Sequence, residues 1–164
     1  MGKDATGTLR KLKEGNARYL SQELLPPHPH APRYAVLACA DARVDPARIF
    51  DAEPGALFVV RTAGNVAPEE VREALAFAAE LGVEAIVVLG HTDCGAIKDA
   101  LAAEPSLPKT AARIRANLSG ETDPSEAARA HARATAAELA RALAGRVPVA
   151  AALYRTERGE VEWL

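Results

Sequence analysis

Cysteine, aromatic side chains and long apolar runs are all scarce in this chain, and each scarcity excludes a class of protein. Two cysteines in 164 residues exclude a disulfide-rich secreted scaffold. Three Phe, three Tyr and one Trp are too few for a platform that stacks nucleic-acid bases. The sequence holds no run of about 18 apolar residues, so we expect no membrane-spanning helix.

Strong net charge is also missing, since the formal charge is −2. Neither nucleic acid nor an anionic membrane is therefore an expected partner. The first 16 residues contain no apolar segment of the kind found in signal peptides, so we expect a cytoplasmic protein with reduced thiols. In that setting two cysteines are better explained as metal ligands or catalytic groups than as a disulfide.

The length fits a single domain, 1–164, large enough to bury a core without disulfide or metal support. We expect an N-terminal helix and arm over 1–33 and an α/β core over 34–164. The helix is predicted over 8–20, where apolar side chains recur on one face. A proline-rich connector follows it and cannot form regular helix.

The core shows the pattern of a parallel α/β sheet. Continuous apolar runs over 34–39, 56–61 and 84–90 are typical of strands buried on both faces. The helix predicted over 67–82 joins the last two as a strand–helix–strand unit with a right-handed crossover. Further helices are predicted over 95–103, 109–118 and 123–145, and a terminal hairpin pairs 148–154 with 161–164.

Three potential metal ligands stand where two of these strands end. Cys39 ends the first strand, and His91 and Cys94 lie just beyond the third. Ligands of parallel sheets bind beyond the carboxyl ends of the strands. Two thiolates and one imidazole suit Zn²⁺, and three protein ligands leave the open position that marks a catalytic rather than a structural zinc. Such a zinc supplies hydroxide near neutral pH.

Asp41 and Arg43 alternate with Cys39 and point to the same side of an extended chain. An adjacent arginine keeps a carboxylate ionised and fixes its orientation. Asp41 could then accept a hydrogen bond from zinc-bound hydroxide and orient it, or could ligate the zinc and close the site. Both alternatives are open at this point.

The motifs "CADAR" (39–43), "FVVRTAGN" (58–65) and "GHTDCG" (90–95) together resemble the β-class carbonic anhydrases. The similarity runs in register from about residue 35 to about residue 100 and makes the chain similar to a compact member of that family. It implies an α/β fold with a mostly parallel sheet of four to five strands flanked by helices. It also implies an N-terminal helical arm that packs on a partner subunit.

The resemblance further implies one zinc per chain and the reversible hydration of carbon dioxide to bicarbonate and a proton through zinc-bound hydroxide. It also implies an enzyme that acts on a small-molecule substrate and assembles as a homodimer or a higher homo-oligomer. By this resemblance the zinc ligands are Cys39, His91 and Cys94, the catalytic pair is Asp41 and Arg43, and Arg61, Gly64, Asn65 and Gly95 surround the substrate pocket or support the ligands. Arg61 is expected to pair with an acidic neighbour, and Gly95 to allow a close helix N-terminus.

Two positions depart from the family pattern. Ala42 replaces a frequent serine, with little expected effect, because that hydroxyl is not a ligand. Val36 stands where some members have a tryptophan of a bicarbonate-gating pocket. Gating of that kind is therefore not expected here.

Other interpretations of the same residues stay available. The zinc site could hydrolyse carbonyl sulfide or carbon disulfide, which share the shape of carbon dioxide. Alternatively, the protein could be a zinc-stabilised scaffold or bicarbonate sensor whose site Asp41 closes. Among single residues, Asp93 is expected beside the ligands or facing solvent. His131 is expected to pack on its helix face.

Overall fold

The computed structural model of the chain describes residues 9–21 and 30–164. Within them one sheet has the strand order β2-β1-β3-β4-β5. The first four strands in that order are parallel, and β5 pairs antiparallel with β4. The strands are β1 Tyr34–Cys39, β2 Leu57–Thr62, β3 Ala85–His91, β4 Val149–Arg155 and β5 Glu160–Trp163. The predicted α/β fold with a mostly parallel sheet is confirmed, with five strands.

Six α-helices occur in the described residues. They are α1 Arg10–Leu20, α2 Pro46–Ile49, α3 Glu69–Glu80, α4 Gly95–Leu101, α5 Pro108–Ala116 and α6 Pro124–Ala142. All but the short α2 were predicted. None of these helices is long and apolar enough to cross a membrane. Residues 22–29, which include most of the predicted proline-rich arm, lie outside the described residues, as do residues 1–8.

The central strands are buried on both faces, and the edge strands are not. In β1 every residue from Ala35 to Cys39 is buried, and in β3 every residue from Ile86 to His91 is buried. The edge strand β2 is half-buried or exposed along its whole length. Because both faces of a central strand need apolar cover, β1 and β3 are continuous apolar runs rather than alternating ones.

The two faces of the sheet are covered differently. Successive side chains of a strand point to opposite faces, so Leu37 packs with residues of α3 and α6, whereas Val36 packs with Val44 and with residues around α2. Residues of α4 and α5 pack with Cys39, whose side chain points to the same face as Leu37, so helices α3 to α6 lie on one face. On the other face a cavity of about 460 Å³ remains beside Val36, with Trp163 among its lining residues.

The local sequence determines where helix α6 begins. Asp123 accepts hydrogen bonds from the amides of Ser125 and Glu126, and Pro124 occupies the first helical position. The helix packs closely on β3, since a Cβ at Gly90 would lie 3.2 Å from Ala132 Cβ. Glycine at this position lets α6 approach the strand that carries His91.

The connections between strands determine where a site can form. The β1–β2 connection contains α2 and packs on one face, whereas the β2–β3 connection contains α3 and packs on the other. The chain therefore leaves β1 toward β2 on one side and returns to β3 on the other side of β1. The crevice beyond the carboxyl ends of such a strand pair is the usual ligand site of open α/β sheets.

Candidate metal centre

Cys39, His91 and Cys94 meet at this crevice. Cys39 is the last residue of β1, His91 is the last residue of β3, and Cys94 precedes α4. Their ligand atoms all lie within 4.8 Å of one another, and all three residues are buried. In the part of the chain that the structure describes, this cluster contains no carboxylate. The convergence predicted from the strand ends is therefore found.

The spacing of the two sulfurs fits a tetrahedral zinc. The Sγ atoms of Cys39 and Cys94 are 3.9 Å apart, and both thiols are free. Two zinc–sulfur bonds of about 2.3 Å at the tetrahedral angle place their sulfurs about 3.8 Å apart. A disulfide needs about 2.05 Å, so the spacing suits a shared metal ion and does not fit a bridge.

His91 presents a free nitrogen to this cluster. Its Nδ1 lies 2.9 Å from the carbonyl oxygen of Thr92. A carbonyl can only accept, so Nδ1 carries the proton and Nε2 keeps a lone pair. Nε2 is buried and has no hydrogen-bond partner among the described residues. A buried nitrogen without a partner costs free energy, and a zinc ion bound there removes that cost.

The surroundings of Cys39 stabilise its thiolate. The amide of Gly64 donates to Cys39 Sγ at 3.3 Å, and the amide of Asp41 donates at 3.5 Å. The hydrogen bond from the Cys94 thiol lowers the pKa of Cys39 to about 4, and these two amides add to the effect. The bond to Cys39 and burial together raise the pKa of Cys94. A zinc ion bound by this pair would require both thiols to be deprotonated.

Asp41 is held by Arg43 on both of its oxygens. Arg43 Nε donates to Asp41 Oδ1 at 3.0 Å, and Nη2 donates to Oδ2 at 2.7 Å. This side-chain pairing holds the pKa of the Asp41 carboxyl well below its usual range. The other end of the guanidinium binds the Asp93 carboxylate at 2.8 Å. This bond ties the segment before α4 to the segment after β1. Lys98 of α4 also pairs with Asp93.

The structure gives different surroundings to the four residues predicted to support the site, Arg61, Gly64, Asn65 and Gly95. Arg61 donates to the backbone carbonyls of Cys39 and Asp41, not to an acidic side chain. Gly64 and Asn65 form the turn after β2, and Gly64 contacts Cys39 directly. At Gly95 a Cβ would meet no described atom within 4 Å, so no close approach within this chain requires glycine there.

One connection to the site was missed from the sequence. His131, expected only to pack on its helix face, lies 2.9 Å by its Nε2 from the carbonyl oxygen of Gly64. Its Nδ1 lies 3.1 Å from Asn117 Nδ2, which also donates to Thr135. The available signal was the pair of polar residues at 131 and 135, one turn apart on the otherwise apolar face of α6.

Comparisons with known proteins find relatives of this chain in sequence and in fold. The family model described as carbonic anhydrase matches residues 34–161. Carbonic anhydrase 2 of Mycobacterium tuberculosis (strain CDC 1551 / Oshkosh) is 41% identical over 108 residues, which cover 57% of this chain and 51% of that protein. The chain thus spans about half the length of the curated relatives it matches.

Two solved structures share the fold over nearly the whole chain. The β-carbonic anhydrase CcaA superposes with a TM-score of 0.71 at 26% identity, covering 98% of this chain and 88% of that chain. The Coccomyxa β-carbonic anhydrase, solved in complex with acetazolamide, superposes with a TM-score of 0.76 at 24% identity. That second match covers 95% of this chain and 86% of the other.

Proposed function

The chain belongs to the β-carbonic anhydrase family, and on this premise we propose that it catalyses the reversible hydration of carbon dioxide. The balanced reaction is CO₂ and water giving bicarbonate and a proton. The observation that carries the proposal is the buried cluster of Cys39, His91 and Cys94, whose sulfur spacing and free imidazole nitrogen suit one zinc per chain.

Three protein ligands are the number found in catalytic zinc sites, which keep a position open for water. When bound, Zn²⁺ is a Lewis acid that lowers the pKa of water to about 7 and so supplies hydroxide near neutral pH. The role of the chain is to hold the ion. Thr92 fixes the imidazole of His91, and the amides of Gly64 and Asp41 support the Cys39 thiolate.

In this proposal Asp41 and Arg43 are the catalytic pair. The low pKa of Asp41, set by the side chain of Arg43, keeps the carboxylate ionised at neutral pH. Such a carboxylate can accept a hydrogen bond from the nucleophilic hydroxide and orient its lone pair toward the carbon of CO₂. Arg61 holds the backbone on either side of this acid, and Gly64, Asn65 and Gly95 complete the surroundings of the site.

Two other functions use the same residues. Carbonyl sulfide and carbon disulfide match CO₂ in shape, so their hydrolysis differs only in how the pocket fits the substrate. A scaffold or sensor instead requires Asp41 to ligate zinc. The two hydrogen bonds from Arg43 engage both oxygens of Asp41, and this favours the catalytic over the closing role.

We expect purified protein with about one zinc per chain to hydrate CO₂ with a rate that rises with pH. Hydroxide is the basic form of the nucleophile, so activity grows as the water ionises, and Asp41 is already ionised below this range. Stopped-flow hydration across pH, with zinc quantified in the same sample, measures this. Stoichiometric zinc with no turnover of CO₂ at any pH would contradict the proposal, and turnover of carbonyl sulfide would then support the alternative hydrolase.

We also propose that the protein is cytoplasmic, and that it assembles as a homodimer or a higher homo-oligomer through α1. Helix α1 buries none of its own residues. The apolar side chains of Leu12 and Leu20 are exposed on it, while the sheet face around Val36 keeps an apolar cavity. An α1 helix from a second copy supplies the apolar cover that neither surface receives from the described residues.

Changing Leu12 and Leu20 together to glutamate is expected to shift the assembly to monomers, because charged side chains oppose burial of the helix face. Sedimentation velocity at micromolar concentration measures the shift. Lys11→Glu is the matched control, since Lys11 is an exposed polar residue of the same helix. A wild-type chain that sediments as a monomer would refute the assembly.

A further inference from the structure

A chain of hydrogen bonds runs from helix α6 to the sulfur of Cys39. His131 Nε2 lies 2.9 Å from the carbonyl oxygen of Gly64, and the amide of Gly64 lies 3.3 Å from Cys39 Sγ. We propose that His131 is a positioning residue that holds the Gly64 turn in place, so that the turn amide supports the Cys39 thiolate in the zinc site. The inference rests on the zinc site of the proposed function but concerns metal binding rather than turnover.

The surroundings of His131 determine which of its nitrogens donates. The side chain is 1% exposed, and burial lowers its pKa to about 4, so the imidazole is neutral. Asn117 Nδ2 points at Nδ1, which must therefore accept. The proton then lies on Nε2, the nitrogen that faces the Gly64 carbonyl. Asn117 is in turn bonded to Thr135, one helical turn along α6.

The turn that His131 holds does not form easily by itself. Gly64 has φ +66° and the next residue, Asn65, has φ +46°. Left-handed conformations of non-glycine residues persist where the surrounding structure enforces them. The turn is also tightly packed, because a Cβ at Gly64 would lie 3.0 Å from Ile114 Cδ1 and 3.1 Å from Ala96 Cβ. Besides this packing, the hydrogen bond from His131 fixes the carbonyl.

The expected consequence concerns the affinity for zinc. An N–H···S hydrogen bond stabilises a thiolate, and the thiolate is the form that binds zinc. Residues that orient metal ligands from outside typically change metal affinity about 10- to 100-fold when they are replaced. Without the His131 donor, the carbonyl oxygen of Gly64 loses its hydrogen bond inside the protein. The Gly64 turn can then shift, and the amide of Gly64 can move away from Cys39 Sγ.

The test compares His131→Leu with His131→Gln in the 164-residue chain. Leucine fills similar volume but cannot donate, whereas the amide nitrogen of glutamine can reach the place of Nε2. Zinc affinity is measured by chelator competition. The sulfur-to-metal charge-transfer band is measured after cobalt(II) replaces zinc, and it reports the two thiolate ligands, Cys39 and Cys94. Leu139→Ala is the matched control, because Leu139 is a fully buried residue of the same helix outside the site.

We expect His131→Leu to bind zinc about 10- to 100-fold more weakly with a shifted cobalt band. His131→Gln is expected to restore both values, and Leu139→Ala to lower the melting temperature alone. Unchanged affinity and spectrum in His131→Leu would overturn the proposal, as would equal losses in His131→Leu and Leu139→Ala. If His131→Leu does not fold, Asn117→Ala serves instead, at a half-buried position. It should weaken zinc binding in the same direction, and unchanged affinity there would also overturn the proposal.

These outcomes are separate from the proposed activity. A wild-type chain that binds zinc but does not hydrate CO₂ would refute the enzymatic proposal. The affinities and cobalt spectra of the variants would still decide the role of His131.

Discussion

Replacing Cys94 by serine is expected to leave a folded chain that neither retains zinc nor hydrates carbon dioxide. A serine hydroxyl does not ionise near neutral pH, so the site loses one of its two thiolates and keeps only Cys39 and His91. Two ligands fall short of the three that catalytic zinc sites use. The loss should exceed the roughly 10- to 100-fold effect of changing a residue outside the ligand shell.

The fold should survive this change, because the largest cluster of buried residues contains none of the three metal ligands. The side chains of Leu37, Ile86 and Leu139 are fully buried between the sheet and its helices. Circular dichroism should therefore show native secondary structure, while metal analysis of dialysed protein shows far less than one zinc per chain.

Ala100→Ser is the control for Cys94→Ser. Ala100 is buried in α4, the helix that Cys94 precedes, and packs in the same cluster as Cys94 without being a ligand, so this variant places the same hydroxyl in the same part of the core. It should keep zinc and activity. Stoichiometric zinc in Cys94→Ser after dialysis would show that Cys94 is not a ligand, and the proposed metal centre would have to be abandoned.

The metal centre could be inferred from the sequence because its ligands stand at strand ends. Buried parallel strands are continuous apolar runs, and the first polar residue or cysteine after each run marks the carboxyl edge of the sheet. Cys39 and His91 end β1 and β3, which are neighbours in the structure. Sequence separation is unimportant at such an edge, since the sheet itself brings the residues together.

The contacts of Arg61 and His131 could not be inferred in the same way. Both side chains donate to backbone carbonyls, and every residue offers such a carbonyl, so no residue type in the sequence identifies the acceptor. The bond from His131 to Gly64 spans 67 residues and depends on how α6 packs over β3. Arg61 was expected to pair with an acidic side chain, but it donates to the carbonyls of Cys39 and Asp41, which the sequence does not distinguish from any other carbonyls.

The sequence patterns also could not predict which elements cover each face of the sheet. Apolar periodicity identifies the buried face of each helix but not the face of the sheet that the helix covers. That choice depends on the direction in which the chain crosses from one strand to the next. The four-residue helix α2 is too short to show any periodicity, although Asp45 caps it and Pro46 begins it.

Asp41→Asn is expected to retain zinc and to lower the rate of CO₂ hydration about 10²- to 10⁴-fold. The amide has nearly the shape of the carboxylate, so the packing is kept, but it carries no charge and has one acceptor oxygen instead of two. The variant can neither satisfy both donors of Arg43 nor orient the nucleophile as an ionised carboxylate does. Because the pKa of Asp41 lies well below its usual range, the loss should be similar at every pH from 6 to 9.

Asp93→Asn is the matched control for this last variant. Asp93 is bound by the same arginine as Asp41, but its side chain is half exposed and it also pairs with Lys98. Asp93→Asn should therefore change the rate far less than Asp41→Asn, since exposed ion pairs contribute little. Loss of zinc in Asp41→Asn would instead identify Asp41 as a ligand that closes the site. Equal losses of rate in both variants would mean that Arg43, and not the carboxylate, is the group on which the reaction depends.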